Sequence, residues 1–122
     1  MRRWARLPVV LLITTGRRSG RPRPVIVGRF GPAGNTLVVV ASDGGAPRHP
    51  GWYLNVEAHP EVEVVLDGSR RRMRARTATR DEKAQLWPRI AARAPSYDRY
   101  QQRATPRDIP VVLLEPLEEP QR

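Results

Sequence analysis

Read as apolar and polar positions, the chain divides into strands, then helices interrupting strands, then a closing strand. Residues 7–14 form an unbroken apolar run, which predicts a strand buried on both faces. The polar turn TTGRRSGRP follows, and residues 23–30 predict a second strand. The GPAGN segment at 31–35 reads as a hairpin loop, because Gly and Asn tolerate positive φ. Residues 36–42 are valine-rich and predict a third strand, ending in the breaker-dense loop SDGGAPRHP. Pro50 suits the first turn of a helix, so residues 51–58 predict a short helix stopped before Pro60. Residues 61–66 and 69–79 flank Asp67-Gly68, a strong two-residue hairpin signal. Residues 81–93 predict a helix, with Thr79 as its cap and Glu82 completing a capping box. A second short helix over 96–103 precedes a last strand over 110–115. Six strands with helical insertions predict a mainly β chain, a closed or half-closed antiparallel barrel. At 122 residues it makes one domain, with 1–6 as a short arm and 117–122 as a tail.

The Asp67-Gly68 turn sets a register. It puts Glu63 opposite Arg72 and Glu61 opposite Arg74 on one side of the sheet, and Val62 opposite Met73 on the other. The run Arg70, Arg71, Arg72, Arg74 and Arg76 resembles a nucleic-acid patch, but this register makes it at least partly a cross-strand ion-pair ladder. The formal net charge is +10 and almost all of it is arginine, Lys83 being the only lysine. Such a balance predicts an acidic partner: nucleic acid, an anionic membrane surface or an acidic small molecule. A GC-rich genome, which favours arginine codons, is a plainer source of the same excess. With no cysteine, disulfides, thiolate metal sites and cysteine nucleophiles are excluded. Two histidines leave little for a metal centre, and none is expected; His59 reads as a helix-end residue and His49 as a loop or capping residue. Trp87 shares a helix face with Leu86 and Ile90, at core-like spacing. No secretory segment is expected, the 7–14 run being too short for a spanning helix, so the expected compartment is the cytoplasm.

Two loops carry candidate chemistry. In the first, Arg17, Arg18, Ser19, Gly20, Arg21, Pro22 and Arg23 follow Gly16 between two strands. Glycines let backbone N–H groups turn toward a ligand, and hydroxyls and guanidiniums complete an anion cradle. Neither GxxxxGK[ST] nor GxGxxG spacing occurs, so a triphosphate or Rossmann site is not indicated. In the second, Ala41, Ser42, Asp43, Gly44 and Gly45 end a strand, and Gly51, Trp52, Tyr53 and Asn55 open a helix. Helix N-termini beside glycines favour anions or the polar edge of a flat heterocycle, and Trp52 and Tyr53 offer an aromatic wall. For Trp52 alone, packing of the helix on the barrel is the favoured reading.

Taken together, GRRSGRPR, ASDGGAPRHPGWYLN and the tail SYDRYQQRATPRDIPVVLLEP resemble the deazaflavin-dependent nitroreductase and quinone reductase family, over roughly residues 7–116. The resemblance implies a split β-barrel, of the type that binds flavins and deazaflavins, with reduced coenzyme F-420 as its cofactor. It implies that the GRRSGRP loop and the 41–45 turn hold the phosphate and the polyglutamate tail. The 51–55 segment would line the deazaflavin, and Tyr97 and Tyr100 would lie beside the substrate, with Ser42 as a further catalytic candidate. The implied reaction is hydride transfer to a quinone, an activated alkene or a nitroaromatic. A polyanionic coenzyme accounts for the basic charge, and a cofactor that carries the chemistry accounts for the lack of an acid–base or nucleophilic constellation. Three positions depart from the family pattern. Ala94 and Gly28 stand where aromatic residues are common, and Asp43 stands where a base is common; together they imply a more open acceptor pocket. The near absence of a long amino-terminal arm makes membrane association an unfavoured expectation. FMN or haem in the same barrel, a nucleic-acid-binding barrel without enzymatic activity, and a coenzyme carrier are the alternatives. The few aromatics outside strands argue against nucleic acid, and monomer and homodimer stay equally open.

Overall fold

The computed structural model describes residues 8–33 and 35–117. Trp4, the expected arm, the first residue of the 7–14 run and nearly all of the expected tail lie outside the described residues. Six strands, β1 (Val9–Thr15), β2 (Pro22–Ala33), β3 (Thr36–Val40), β4 (Glu61–Leu66), β5 (Ser69–Thr77) and β6 (Val111–Pro116), close into an antiparallel barrel in the order β1-β2-β3-β6-β5-β4. Helix α1 (Gly51–Ala58) joins β3 to β4, and α2 (Arg80–Arg93) and α3 (Ser96–Ala104) lie between β5 and β6. Among the described residues no helix is long and apolar enough to cross a membrane.

Inward side chains from all six strands, among them Val10, Leu12, Val39, Val64, Met73 and Leu114, fill the barrel, with Tyr53 and Val56 of α1 closing one end. A second core lies outside the wall, where Ile90 of α2 and Ala104 of α3 pack on Phe30, Val38, Val40, Val111 and Leu113. β3 and β6 are therefore the strands covered on both faces. The expectation that the 7–14 run is buried on both faces does not hold for β1. Its residues alternate, and Val9 on the outer face is 55% exposed. Helices α2 and α3 pack over β2, β3 and β6, and among the described residues of β1 Val9 is left exposed while Leu11 and Ile13 are half-buried.

The predicted β4–β5 register is the observed one, with Glu61 opposite Arg74, Val62 opposite Met73 and Glu63 opposite Arg72. Asp67 and Gly68 both have positive φ, as the two-residue turn requires. The ion pairs, however, run diagonally: Arg70 to Glu63 at 2.7 Å and Arg72 to Glu61 at 2.9 Å. Strand twist brings the diagonal neighbours within reach of long side chains. The predicted loop at 31–35 is mostly strand, since β2 continues to Ala33 and pairs it with Thr36 after a register shift beyond Phe30. α2 carries the complete capping box of Thr79 and Glu82.

Candidate active site

The site begins where the barrel is incomplete. β2 pairs with β1 along its whole first half but with β3 only from Arg29 onward. The bonds Gly16 N–H to Arg21 O and Arg29 N–H to Pro8 O fix which residues of β2 bond to β1. By alternation, the backbone groups of Ile26 and Gly28 turn the other way, toward a cleft. That cleft, about 840 Å³, runs from the β1–β2 loop past β2 to the first turn of α1, the 42–44 turn and α3. Ile26, 67% exposed, forms part of its rim.

The β1–β2 loop is held to α1 by a buried amide. Asn55 Oδ1 accepts from the Arg17 backbone N–H at 3.1 Å and from Arg17 Nη1 at 2.9 Å, and Asn55 Nδ2 donates to Thr14 Oγ1 at 3.0 Å. Ser19 Oγ accepts from the Arg21 backbone N–H at 3.1 Å and from Arg23 Nη2 at 3.4 Å, which fixes the loop's own turn. Arg17 is therefore partly committed to Asn55, while Arg18 and Arg23 line the cleft with exposed guanidiniums. Pro50 precedes α1 in extended conformation, and no side chain caps the helix. The N–H groups of Gly51 and Trp52 lack intrahelical partners at that end, and both residues line the same cleft.

The opposite wall is built on an unusual backbone. Asp43, Gly44 and Gly45 have φ of 46°, 63° and 84°, three consecutive residues in the left-handed region. Only the glycines take this conformation without steric cost, so the DGG triplet is the sequence signal for the turn. Gly45 is also packed tightly, since a Cβ there would sit 2.6 Å from the Tyr100 carbonyl oxygen. This close approach, with Arg103 Nη1 donating to Gly44 O at 3.1 Å, docks α3 against the turn. Tyr97 and Tyr100 of α3 face the cleft with their rings 5.2 Å apart, and Tyr97 packs edge-on against Phe30 at 5.6 Å. Burial pushes the Tyr97 phenol above its ordinary value, with the neighbouring Ser42 hydroxyl acting the other way. The phenol thus stays protonated at neutral pH and can donate.

Of the residues singled out in sequence, the cleft gathers Arg17, Arg18, Ser19, Arg23, Ser42, Asp43, Gly44, Gly51, Trp52, Asn55, Tyr97 and Tyr100. Gly20, Arg21 and Pro22 lie on the far side of the loop. Gly20 and Pro22 instead border a smaller hollow beside Glu61 and Arg72. Ala41 is fully buried, and Gly45 lies beneath α3. Of the two aromatics at the start of α1, Trp52 packs against the barrel core as favoured and also lines the cleft, whereas Tyr53, expected in the aromatic wall, is buried. Tyr53 is 5% exposed in the barrel core, its hydroxyl 2.7 Å from Thr77 Oγ1, whereas Trp52 is half-buried and lines the cleft. Burial also raises the Tyr53 phenol. Trp87 reaches the outer core as its spacing predicts, and its indole N–H also donates to Asp98 at 2.7 Å. His49 is a loop residue whose ring lies tilted against Tyr53, centroids 4.9 Å apart, and His59 is exposed at the end of α1. Among the described residues no group of three metal-ligating side chains occurs.

Sequence reasoning missed the stretch of β2 from Pro24 to Val27, which lines one side of the cleft with Ile26 at its rim. It missed Arg107 as well. An apolar strand reads as wall, and nothing local marks an unpaired edge; that depends on where β3 ends.

A family model described as F-420H(2)-dependent quinone reductase matches residues 1–116. An F-420H(2)-dependent quinone reductase of Mycobacterium tuberculosis is 38% identical over 110 residues, 88% of this chain and 72% of that protein. The solved structure of an F-420-H2-dependent reductase, FDR-A, superposes with a TM-score of 0.78 at 38% identity, covering 88% of this chain and 94% of that one. A structure described as a domain-swapped dimer superposes with a TM-score of 0.79, also at 38% identity, covering 88% of this chain and 80% of its own. With that match over the barrel, both loops and the tyrosine helix, the chain belongs to the F-420H(2)-dependent quinone reductase family.

Proposed function

We propose that the cleft binds reduced coenzyme F-420 and that the protein is an oxidoreductase passing a hydride to a quinone. The observation that carries this reading is the convergence of four separate chain segments on one cleft of about 840 Å³. The donor set fits the coenzyme. Exposed guanidiniums at Arg18 and Arg23 and the free N–H groups of α1 suit a phosphodiester and tail carboxylates. The apolar side formed by β2, with Trp52 also in the lining, suits a flat ring. When bound, the coenzyme supplies the hydride, and the quinone takes that hydride and one proton to become a quinol.

The chain's own residues bind, orient and deliver the proton. Arg17 fixes the loop through Asn55, leaving Arg18 and Arg23 for the anionic end. Tyr97 and Tyr100 stand at the acceptor end, where a protonated phenol donates to a quinone oxygen as negative charge develops on it. Ser42 lies beside Tyr97, and its hydroxyl can pass on a proton taken from solvent as it gives its own to the phenolate, so that neither side chain ends deprotonated. The open side at Ile26 and Gly28 leaves room for bulky acceptors. Activated alkenes and nitroaromatics therefore remain substrates to be tried beside quinones.

Equilibrium quenching of F-420 fluorescence, followed by turnover with 2-methyl-1,4-naphthoquinone, tests this reading. Submicromolar binding that weakens with salt and in Arg18→Ala is the expected result. No binding at about 100 μM, a weak interaction by ordinary affinity arithmetic, would exclude it. Tyr97→Phe and Tyr100→Phe that both keep full turnover would remove the proton-donor role alone.

A further inference from the structure

Arg107 lies in the segment between α3 and β6, and its guanidinium reaches into the wall of the cleft rather than to solvent or to an acid. Nε donates to Ala46 O at 2.8 Å, Nη2 to Ser42 O at 2.8 Å and Nη1 to Ala41 O at 3.2 Å; Nη1 also lies 3.0 Å from His49 Nδ1. With a donor against it, Nδ1 of His49 is an acceptor, which puts the ring proton of the neutral form on Nε2. Four acceptors from four residues thus surround one planar fork. Ser42 O also accepts from the Gly45 backbone N–H at 2.9 Å, so the guanidinium adds a second bond there and ties that carbonyl to those of Ala41 and Ala46. A rigid guanidinium meets several diverging carbonyls at once, and a single ammonium does not.

The backbone of Arg107 is fixed by α3. Gln101 of α3 donates from Nε2 to Arg107 O at 2.8 Å, and its Oε1 accepts from the Ile109 N–H at 2.9 Å and from Lys83 Nζ at 3.0 Å. Gln101 sits one residue beyond Tyr100 on the helix that carries both cleft tyrosines. One continuous strut therefore runs from Lys83 through Gln101 and Arg107 to Ser42. It braces, from behind the cleft lining, the turn that carries Ser42 against the helix that carries both tyrosines, beside the direct contact of Gly45 with Tyr100. We propose that Arg107 is a positioning residue for the reaction, setting the separation of Ser42 from Tyr97 and Tyr100 without touching coenzyme or acceptor. The inference rests on the preceding reading for its effect on turnover, but its structural content is independent of it.

The test compares wild type, Arg107→Ala and Arg107→Lys by hydrogen exchange, F-420 affinity and steady-state reduction of 2-methyl-1,4-naphthoquinone. In Arg107→Ala, exchange across residues 41–49 should rise about tenfold with the barrel strands unchanged, the size expected when a local set of bonds is lost. The F-420 dissociation constant should stay within about threefold while kcat falls at least tenfold, since a displacement of about 1 Å at reacting groups costs that much or more. Guanidinium chloride below its denaturing range should restore part of the Arg107→Ala rate, and Arg107→Lys should not. Unchanged exchange at 41–49 would overturn the proposal. So would affinity and kcat falling together without rescue, because that pattern marks a general loss of structure. If Arg107→Ala does not fold, Gln101→Met cuts the same strut from the other side and should show the same separation of kcat from affinity; kcat within twofold of wild type there would also overturn it. If wild type neither binds F-420 nor turns over, the functional reading fails, and exchange at 41–49 still decides the role of Arg107.

Discussion

Gly45 and Gly44 make a controlled pair. Both have left-handed backbone, but a Cβ at Gly44 meets nothing within 4 Å, while one at Gly45 would strike the Tyr100 carbonyl. Gly44→Ala should therefore cost only the left-handed penalty, about 1–2 kcal/mol by urea unfolding. Gly45→Ala should cost more, about 3 kcal/mol, and should also lower turnover, because relieving the contact means moving α3. Equal costs for the two would show that the 43–45 turn and α3 are not in close contact. Asn55 offers a second comparison. Its amide serves both the Arg17 loop and Thr14, so Asn55→Leu leaves buried polar groups unpaired and should destabilise by about 2 kcal/mol. F-420 affinity should drop with it, though residue 55 lies on α1 and the affected arginines on the neighbouring loop. The DGG triplet and the Asn55 position were legible as parts of a site. Their roles were not, because a carbonyl in contact and an amide partner come from residues 55 and 38 positions away.

At the scale of elements, α2 has an acid-sensitive start. The Glu82 carboxyl is held down to about 2, first by the Arg76 guanidinium, at 2.8 and 2.9 Å, and then by the Thr79 backbone N–H. A carboxylate whose folded value lies below its unfolded one, about 4.3, stabilises fully above that unfolded value and loses the contribution as pH falls toward 2. The urea midpoint of wild type should accordingly fall more steeply between about pH 5 and pH 2 than that of Glu82→Gln, which lacks this titration. Parallel pH profiles for the two proteins would refute the assignment. The capping box and the β4–β5 register were readable because each depends on neighbours a few residues apart. The diagonal ion pairs were not, since they follow from strand twist.

For the whole molecule, the +10 charge divides into committed and available arginines. Arg70, Arg72 and Arg76 have glutamate partners, whereas Arg18 and Arg23 line the cleft. F-420 affinity should therefore weaken with ionic strength over the range where the Debye length falls to about 10 Å and below. Arg18→Ala should reduce both the affinity and its salt slope, and Arg72→Ala should leave both within about twofold. If Arg72→Ala weakened binding as much as Arg18→Ala, the general field of the protein, and not the cleft, would be attracting the coenzyme.

By itself, the sequence determined what is written locally. It placed six strands and three helices through apolar period, turn residues and one capping box, and through glycines, hydroxyls and arginines it marked two loops that both contribute to the cleft. The tertiary structure alone decided which apolar faces are covered. The run beginning β1 is as hydrophobic as β3 or β6, yet α2 and α3 pack over β3 and β6 and leave Val9 exposed. It also decided which aromatic of Trp52 and Tyr53 is fully buried, where β2 loses its partner, and that Arg107 gathers the carbonyls of the 41–46 turn. Periodicity states that a face is apolar, whereas its covering and its hydrogen-bond partners depend on chain segments far away in sequence.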